Sequence, residues 1–264
     1  MPPGPVFATW KVVLIAYFFP PHREIGAASP YRFTAFLRRR GADVRVVCGS
    51  VMRHTDNQIH LASEPPVDAA HRVRQENSSH AARRLGIALE ALERYVLPHR
   101  DRLGWLPCAC QAASRAMTAR CVVISTHPPI VTHLTALLLK MRFGRPWIAD
   151  FRDPLWGNPT RTTWRAGLLD PVIEHLVMTA AVAVIANTDA SADLLRSRYP
   201  ALAEKIQLIW NGFDPEDRIG LAPIDGPYIF SHVGSLYGDR CPMALIQSVN
   251  RLMADGRLPA WQFR

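Results

Sequence analysis

Lysine is nearly missing from this 264-residue sequence. It occurs only at Lys11, Lys140 and Lys205, so arginine carries almost all of the net charge of +9. Such a field attracts phosphates, whether on a nucleotide, an anionic lipid headgroup or a nucleic acid. No basic run is interleaved with aromatics, which argues against nucleic acid. Long apolar runs are missing as well: Val12–Phe19 and Ala180–Ala186 fall well short of the roughly 18–20 residues that span a bilayer. Met1–Trp10 has no basic stretch leading into an apolar one, so no secretion signal is read and a cytoplasmic protein is expected. The five cysteines include one CxC pair, Cys108 and Cys110, but no pair with histidine at zinc spacing. Reduced thiols and no metal site are the expectation. The GxGxxG fingerprint is absent, which removes the main support for a nicotinamide or flavin oxidoreductase.

What is present is an alternation of strands and helices. Lys11–Phe18 is a continuous apolar run, the pattern of a strand buried on both faces of a parallel sheet. Ala28–Arg40 has helical spacing and stops at Gly41, and Asp43–Cys48 is a second strand. Gly49 to Ser79 is polar, without a clear period, and reads as a long loop. Helical pattern resumes over Ala81–Val96 and Gln111–Ala119. Three strand–helix units follow: Cys121–Ser125 with Ile130–Phe143, Trp147–Phe151 with Leu168–Ala180, and Ala183–Asn187 with Ser191–Tyr199. Ile206–Trp210 is one more strand. This order specifies an α/β fold with a Rossmann-like doubly wound parallel sheet. Asp214–Pro227, rich in proline and glycine, suits a linker. Beyond it, a strand at Tyr228–Val233, a helix at Pro242–Met253 and the beginning of a strand at Trp261–Arg264 read as the start of a second Rossmann-like lobe. The expected division is 1–220 and 221–264.

Ligands of open parallel sheets bind at the carboxyl ends of the strands, so the turns there carry the candidate chemistry. After the first strand, Gly26 lies in a turn at a helix N-terminus, where either backbone N–H groups approach a phosphate or the glycine only permits a tight turn. After Cys121–Ser125 come Thr126, His127 and Pro128-Pro129, with a histidine expected in the cleft and not in the core, able to hydrogen-bond a sugar hydroxyl or a phosphate. The densest segment is Asp150-Phe151-Arg152-Asp153-Pro154-Leu155-Trp156. Charges packed at the end of an apolar strand are costly unless they pair or serve a ligand. Either Arg152 forms a structural ion pair, or it offers a planar fork to phosphate or carboxylate while the aspartates accept hydroxyls. Trp156 is a candidate platform for a sugar ring. In the later turn, Gly234, Ser235 and Arg240 suit a diphosphate.

In their order these motifs resemble the retaining GT-B glycosyltransferases of family four, across nearly the whole chain. The resemblance rests on Tyr17–Pro21 with Gly26, on Arg40-Gly41-Ala42-Asp43-Val44, and on Ser125-Thr126-His127. It continues through Asp150-Phe151-Arg152-Asp153, Trp210-Asn211-Gly212-Phe213-Asp214 and Val233-Gly234-Ser235-Leu236 with Arg240. The family's glycine pair is Gly26-Ala27 here, its histidine before the second aspartate is Arg152, and its first donor-lobe basic residue is Ser235.

The resemblance implies the acceptor-side lobe of a two-lobed GT-B enzyme. Such an enzyme moves a sugar from a nucleotide-diphosphate-sugar to a glycan or lipid-linked acceptor with retention, in cell-surface polysaccharide synthesis. It implies His127, Arg152 and Asp153 as catalytic, and Gly26, Asp150, Trp156, Asn211, Gly234, Ser235 and Arg240 as substrate-binding. No cofactor or metal is implied, because side chains and helix N-termini can neutralise a leaving diphosphate. The family's Glu-x7-Glu donor motif has no counterpart, since no glutamate follows Glu216. The expectation is therefore an incomplete donor lobe and a chain inactive alone. An anionic membrane face is the expected further partner, at the periphery of the inner membrane. The rival reading is a non-catalytic module that binds a phosphorylated glycan or a protein partner.

Overall fold

The computed structural model describes residues 11–20, 25–49, 59–61, 79–96, 101–212 and 241–257. The chain divides into two units, Met1–Asp217 and Arg218–Arg264.

In the first unit the elements run β1 (Lys11–Ile15), α1 (Ile25–Arg39), β2 (Asp43–Cys48), β3 (Ile59–Leu61), α2 (His80–Val96), α3 (Leu106–Ala116) and β4 (Val122–His127). They continue with α4 (Val131–Phe143), β5 (Trp147–Phe151), α5 (Trp164–Ala180), β6 (Ala183–Ala186), α6 (Asp189–Arg198) and β7 (Ile206–Leu208). All described strand pairs are parallel, in the order β3-β2-β1-β4-β5-β6-β7. The chain winds outward one way from β1 and then the other way from β4, which is the doubly wound Rossmann-like arrangement.

The apolar run at β1 explains itself in packing. Val13 and Ile15 join one core cluster with Trp105, Ile130 and Trp147, while Val12 and Leu14 join the other with Val44, Val46, Phe33 and Leu37. Alternate side chains of a strand point to opposite faces, so a strand covered on both sides must be apolar throughout. Gly41 ends α1 at φ 91°, a left-handed conformation that suits glycine.

Three elements depart furthest from the sequence reading. The stretch read as loop contains β3, which pairs with β2 through Val46–Ile59, Val47–His60 and Cys48–Leu61. Three residues are too few to show a period. Helix α3 starts at Leu106, five residues before the expected position, with a proline in its first turn where a missing N–H costs nothing. Helix α5 starts at Trp164, four residues early, because the Thr163 hydroxyl accepts from Ala166 N at 3.3 Å and caps it. The linker, the strands expected at Tyr228–Val233 and Trp261–Arg264, and the boundary at 220 lie outside the described residues. In the second unit the described helix is α7 (Met243–Ala254).

Candidate active site

The strand order reverses between β1 and β4, and open sheets bind ligands in the crevice at that point. A cavity of about 280 Å³ opens there, lined by Phe18, Arg102, His127, Pro128, Asp153 and Arg161 among others. A larger hollow of about 420 Å³, lined by Cys110, Ser114 and Arg142, has no carboxylate or imidazole. Arg142 belongs to the last turn of α4, which leads into the amino end of β5 and not to the carboxyl ends of the strands.

His127 is the last residue of β4 and pairs in register with Phe151 of β5. Instead of lying in an open turn it is only 3% exposed, stacked on His133 with ring centres 5.8 Å apart. Burial pushes its pKa down to about 3, helped by the charges of Arg161 and Arg152, while a hydrogen bond to the Asp153 backbone acts against the shift. The ring is thus neutral at ordinary pH, and its Nδ1 has no hydrogen-bond partner among the described residues. Behind it, Trp147 Nε1–H donates to Ser125 Oγ at 2.8 Å, and Ser125 Oγ lies 2.7 Å from His133 Nδ1. His133 is also held neutral by burial.

Asp150 faces Thr126 in the β4–β5 register. Burial raises its pKa to about 6, against the pull of the Thr126 hydroxyl and the Arg152 charge. Arg152 reaches back across the sheet end and donates from Nη1 to the Gly26 carbonyl at 3.0 Å. The reason lies four residues along α1. Pro30 has no N–H, so the Gly26 carbonyl lacks its helical donor and the guanidinium takes that place. A Cβ on Gly26 would stand 3.1 Å from the Phe18 ring and 3.5 Å from Arg152 Nη1. Gly26 and Arg152 are therefore one structural contact, and Asp153 lines the cavity beside them.

Three carboxylate clamps, which the sequence reading missed, fix the walls. Glu93 of α2 accepts from Arg102 N at 2.9 Å and Leu103 N at 2.8 Å. Arg102 is held there in the left-handed region at φ 62°, its guanidinium 5.4 Å from the centre of the Tyr17 ring. Glu174 of α5 is fully buried and accepts from Leu155 N, Trp156 N, Arg198 and Tyr199 at 2.8–3.2 Å. Arg161 binds two carboxylates at once, Asp101 at 2.9 and 3.0 Å and Asp170 at 2.7 Å twice. Although burial works against its charge, the two aspartates raise the Arg161 pKa further. No local motif marks these residues, because each clamp joins positions 9 to 60 apart in sequence.

The remaining candidates stand apart from the cavity. One face of Trp156 carries the Arg198 guanidinium, 4.4 Å from the ring centre. The neighbouring Gly157 has φ 76°, and a Cβ there would meet Arg198 Nη2 at 2.9 Å. Asn211 is exposed, and the next residue, Gly212, receives a bond from Arg32 of α1 at 3.4 Å. Gly234, Ser235 and Arg240 lie outside the described residues. Among the described residues no cluster of three His, Cys, Asp or Glu could hold a metal ion.

A model of the glycosyl transferase 4-like domain matches residues 27–212. Among solved structures, the chain is similar to sucrose-phosphate synthase from Thermosynechococcus elongatus. The identity is 12%, covering 78% of this chain and 49% of that one, with a TM-score of 0.50. It is also similar to the Anabaena protein HepE, solved in complex with UDP and glucose, at 15% identity, 78% and 45% coverage and a TM-score of 0.38. At 12% identity the likeness to sucrose-phosphate synthase is one of fold. The chain spans about half the length of these structures. No curated protein matches it.

Proposed function

The chain belongs to the glycosyl transferase 4-like domain family, and from that premise we propose that its first unit is the acceptor-side lobe of a nucleotide-sugar-dependent glycosyltransferase. The reaction moves a sugar from a nucleotide-diphosphate donor to a glycan or lipid-linked acceptor. The observation that carries the reading is His127: a buried, neutral imidazole whose Nδ1 has no hydrogen-bond partner among the described residues, at the end of β4, beside a cavity at the point where the strand order reverses. A neutral ring can accept a hydrogen bond from a hydroxyl, which a cationic one cannot. Asp153, at the same wall, is a second acceptor for hydroxyls.

In this scheme His127 and Asp153 orient the reacting sugar and acceptor. Arg152, tied to Gly26, presents positive charge and a helix N-terminus together at the strand end, where a leaving diphosphate gathers negative charge. By the resemblance alone, Gly234, Ser235 and Arg240 of the second unit are assigned to phosphate binding. Retention of configuration, and a place in cell-surface polysaccharide synthesis, are proposed on the resemblance of the turn motifs to those of the retaining enzymes. No cofactor is needed beyond the donor substrate.

The test is a panel of nucleotide-diphosphate sugars on protein purified from its native cells, with release of nucleoside diphosphate as the readout. Turnover is expected with at least one donor, and His127→Ala is expected to lower kcat/KM by about 100-fold. Absence of turnover across the panel, with retained binding of a phosphorylated glycan, would instead favour a non-catalytic module.

A further inference from the structure

Helix α5 has its carboxylates inside and apolar residues outside. Asp170 and Glu174 are buried in the clamps described above. The outward positions, four residues apart, are Trp164, Leu168, Val172 and Leu176, between 48% and 71% exposed. Gly167, His175 and Thr179 complete that face, which has no Asp, Glu, Lys or Arg among them. A surface helix of a globular protein ordinarily shows the reverse. Helix α4 packs alongside and adds exposed Leu138 and Met141.

The charges that the α4–α5 stretch itself displays beside this apolar face are cationic. Lys140, Arg142 and Arg145 stand at the end of α4, and Arg165 begins α5 with its guanidinium 5.4 Å from the Trp164 ring centre. The acidic residues between Val131 and Ala180 are Asp150, Asp153, Asp170 and Glu174. The first two sit at the carboxyl end of β5, and the last two are buried. No carboxylate of this stretch is displayed on the α4–α5 face.

We propose that this face rests on an anionic lipid surface, with the α5 stripe at the boundary of headgroups and acyl chains and the four cations among the phosphates. An apolar helix face with a cationic border, and a tryptophan at its end, is the composition of an interfacial helix. A second copy of the chain would bring no carboxylate of this stretch to face Lys140, Arg142, Arg145 and Arg165. Among the described residues no helix is long and apolar enough to cross a membrane, so the contact lies in the membrane plane.

The experiment is co-sedimentation of the full chain with phosphatidylcholine vesicles, with and without phosphatidylglycerol, at low salt. Retention is expected only with phosphatidylglycerol, weakening as salt rises. Leu168→Asn with Val172→Asn should lower the partition coefficient by about tenfold or more. Arg142→Gln should lower it by about fivefold. Unchanged circular dichroism would show that these exposed substitutions leave the fold intact. No retention overturns the assignment, as does retention that the double substitution leaves unchanged. A concentration-dependent dimer, or binding of an acidic protein, that the same substitutions abolish would overturn it in favour of those partners. Partition is read without donor or acceptor, so failure of transfer with partition intact would overturn only the functional reading.

Discussion

Helices α5 and α6 follow neighbouring strands of one sheet, yet they use their charged residues in opposite ways. In α6, Ala192 and Leu195 face the core, Asp189 lies in the first turn and Arg196 in the last. The Asp193–Arg196 pair sits in solvent at 3.4 Å. That is the usual amphipathic helix, with charges placed to suit its dipole. In α5 the carboxylates point inward, and each is saturated by donors from the loop between β5 and α5 or from the end of α6. An ion pair of the same chemistry is thus ornament in one helix and structure in the other, and burial makes the difference.

The largest effect should come from Glu174. Replacing it with alanine leaves the Leu155 and Trp156 N–H groups and the Arg198 guanidinium without their acceptor. The expected loss is about 3–5 kcal/mol, read by urea unfolding. A loss below about 1 kcal/mol would break the contrast between the helices. Arg161→Leu should cost about 3 kcal/mol or more, since Asp101 and Asp170 then face each other without a cation. Adding Asp101→Asn and Asp170→Asn to that variant should restore a large part of the loss, because the buried charges go with it.

Acid titration separates two groups at the site with opposite signs. His127 has a folded pKa of about 3 against 6.5 for the free group, so its contribution is complete above about pH 6.5 and is lost as pH falls. By pH 4 that loss amounts to about 3 kcal/mol. Asp150 has a folded pKa of about 6 against 3.8, so its ionised form penalises the fold above about pH 6, and the penalty is relieved on acidification. His127→Asn should therefore flatten the acid limb of stability, and Asp150→Asn should steepen it by about 2 kcal/mol. Parallel profiles for the two variants would show that burial does not hold these groups as the cavity geometry implies.

Periodicity exposed most of the fold and little of the clamping. The strands at Asp43–Cys48 and Trp147–Phe151 were readable to the residue, and β1 and β6 nearly so, because a buried parallel strand leaves an apolar run. Turn positions at strand ends picked out His127, Arg152 and Asp153, since topology alone sends such residues to the crevice. The burial of His127 was not legible, because it depends on Phe151 and His133 arriving from other elements. The Gly26–Arg152 contact had a local signal in Pro30, which deletes the helical donor to that carbonyl. Its partner, 126 residues away, had none. For α5, Asp170 and Glu174 interrupt an apolar stretch, as the wet side of a helix ordinarily does. Only the clamps reveal that they are the dry one.

The smallest predicted effects are the most discriminating for the comparison. Asp193→Ala in α6 should change stability by less than about 0.5 kcal/mol, because the pair it removes is screened and its side chains are free to move. Leu168→Asn in α5 should be equally mild in solution, since the side chain is already in water and leaves no cavity behind. The two helices would then agree in stability and differ in vesicle partition, where only the α5 change matters. A Leu168→Asn cost of several kcal/mol, measured by urea unfolding without lipid, would mean that this face is packed against protein in solution. The apolar stripe would then belong to the core economy of the chain and not to a surface.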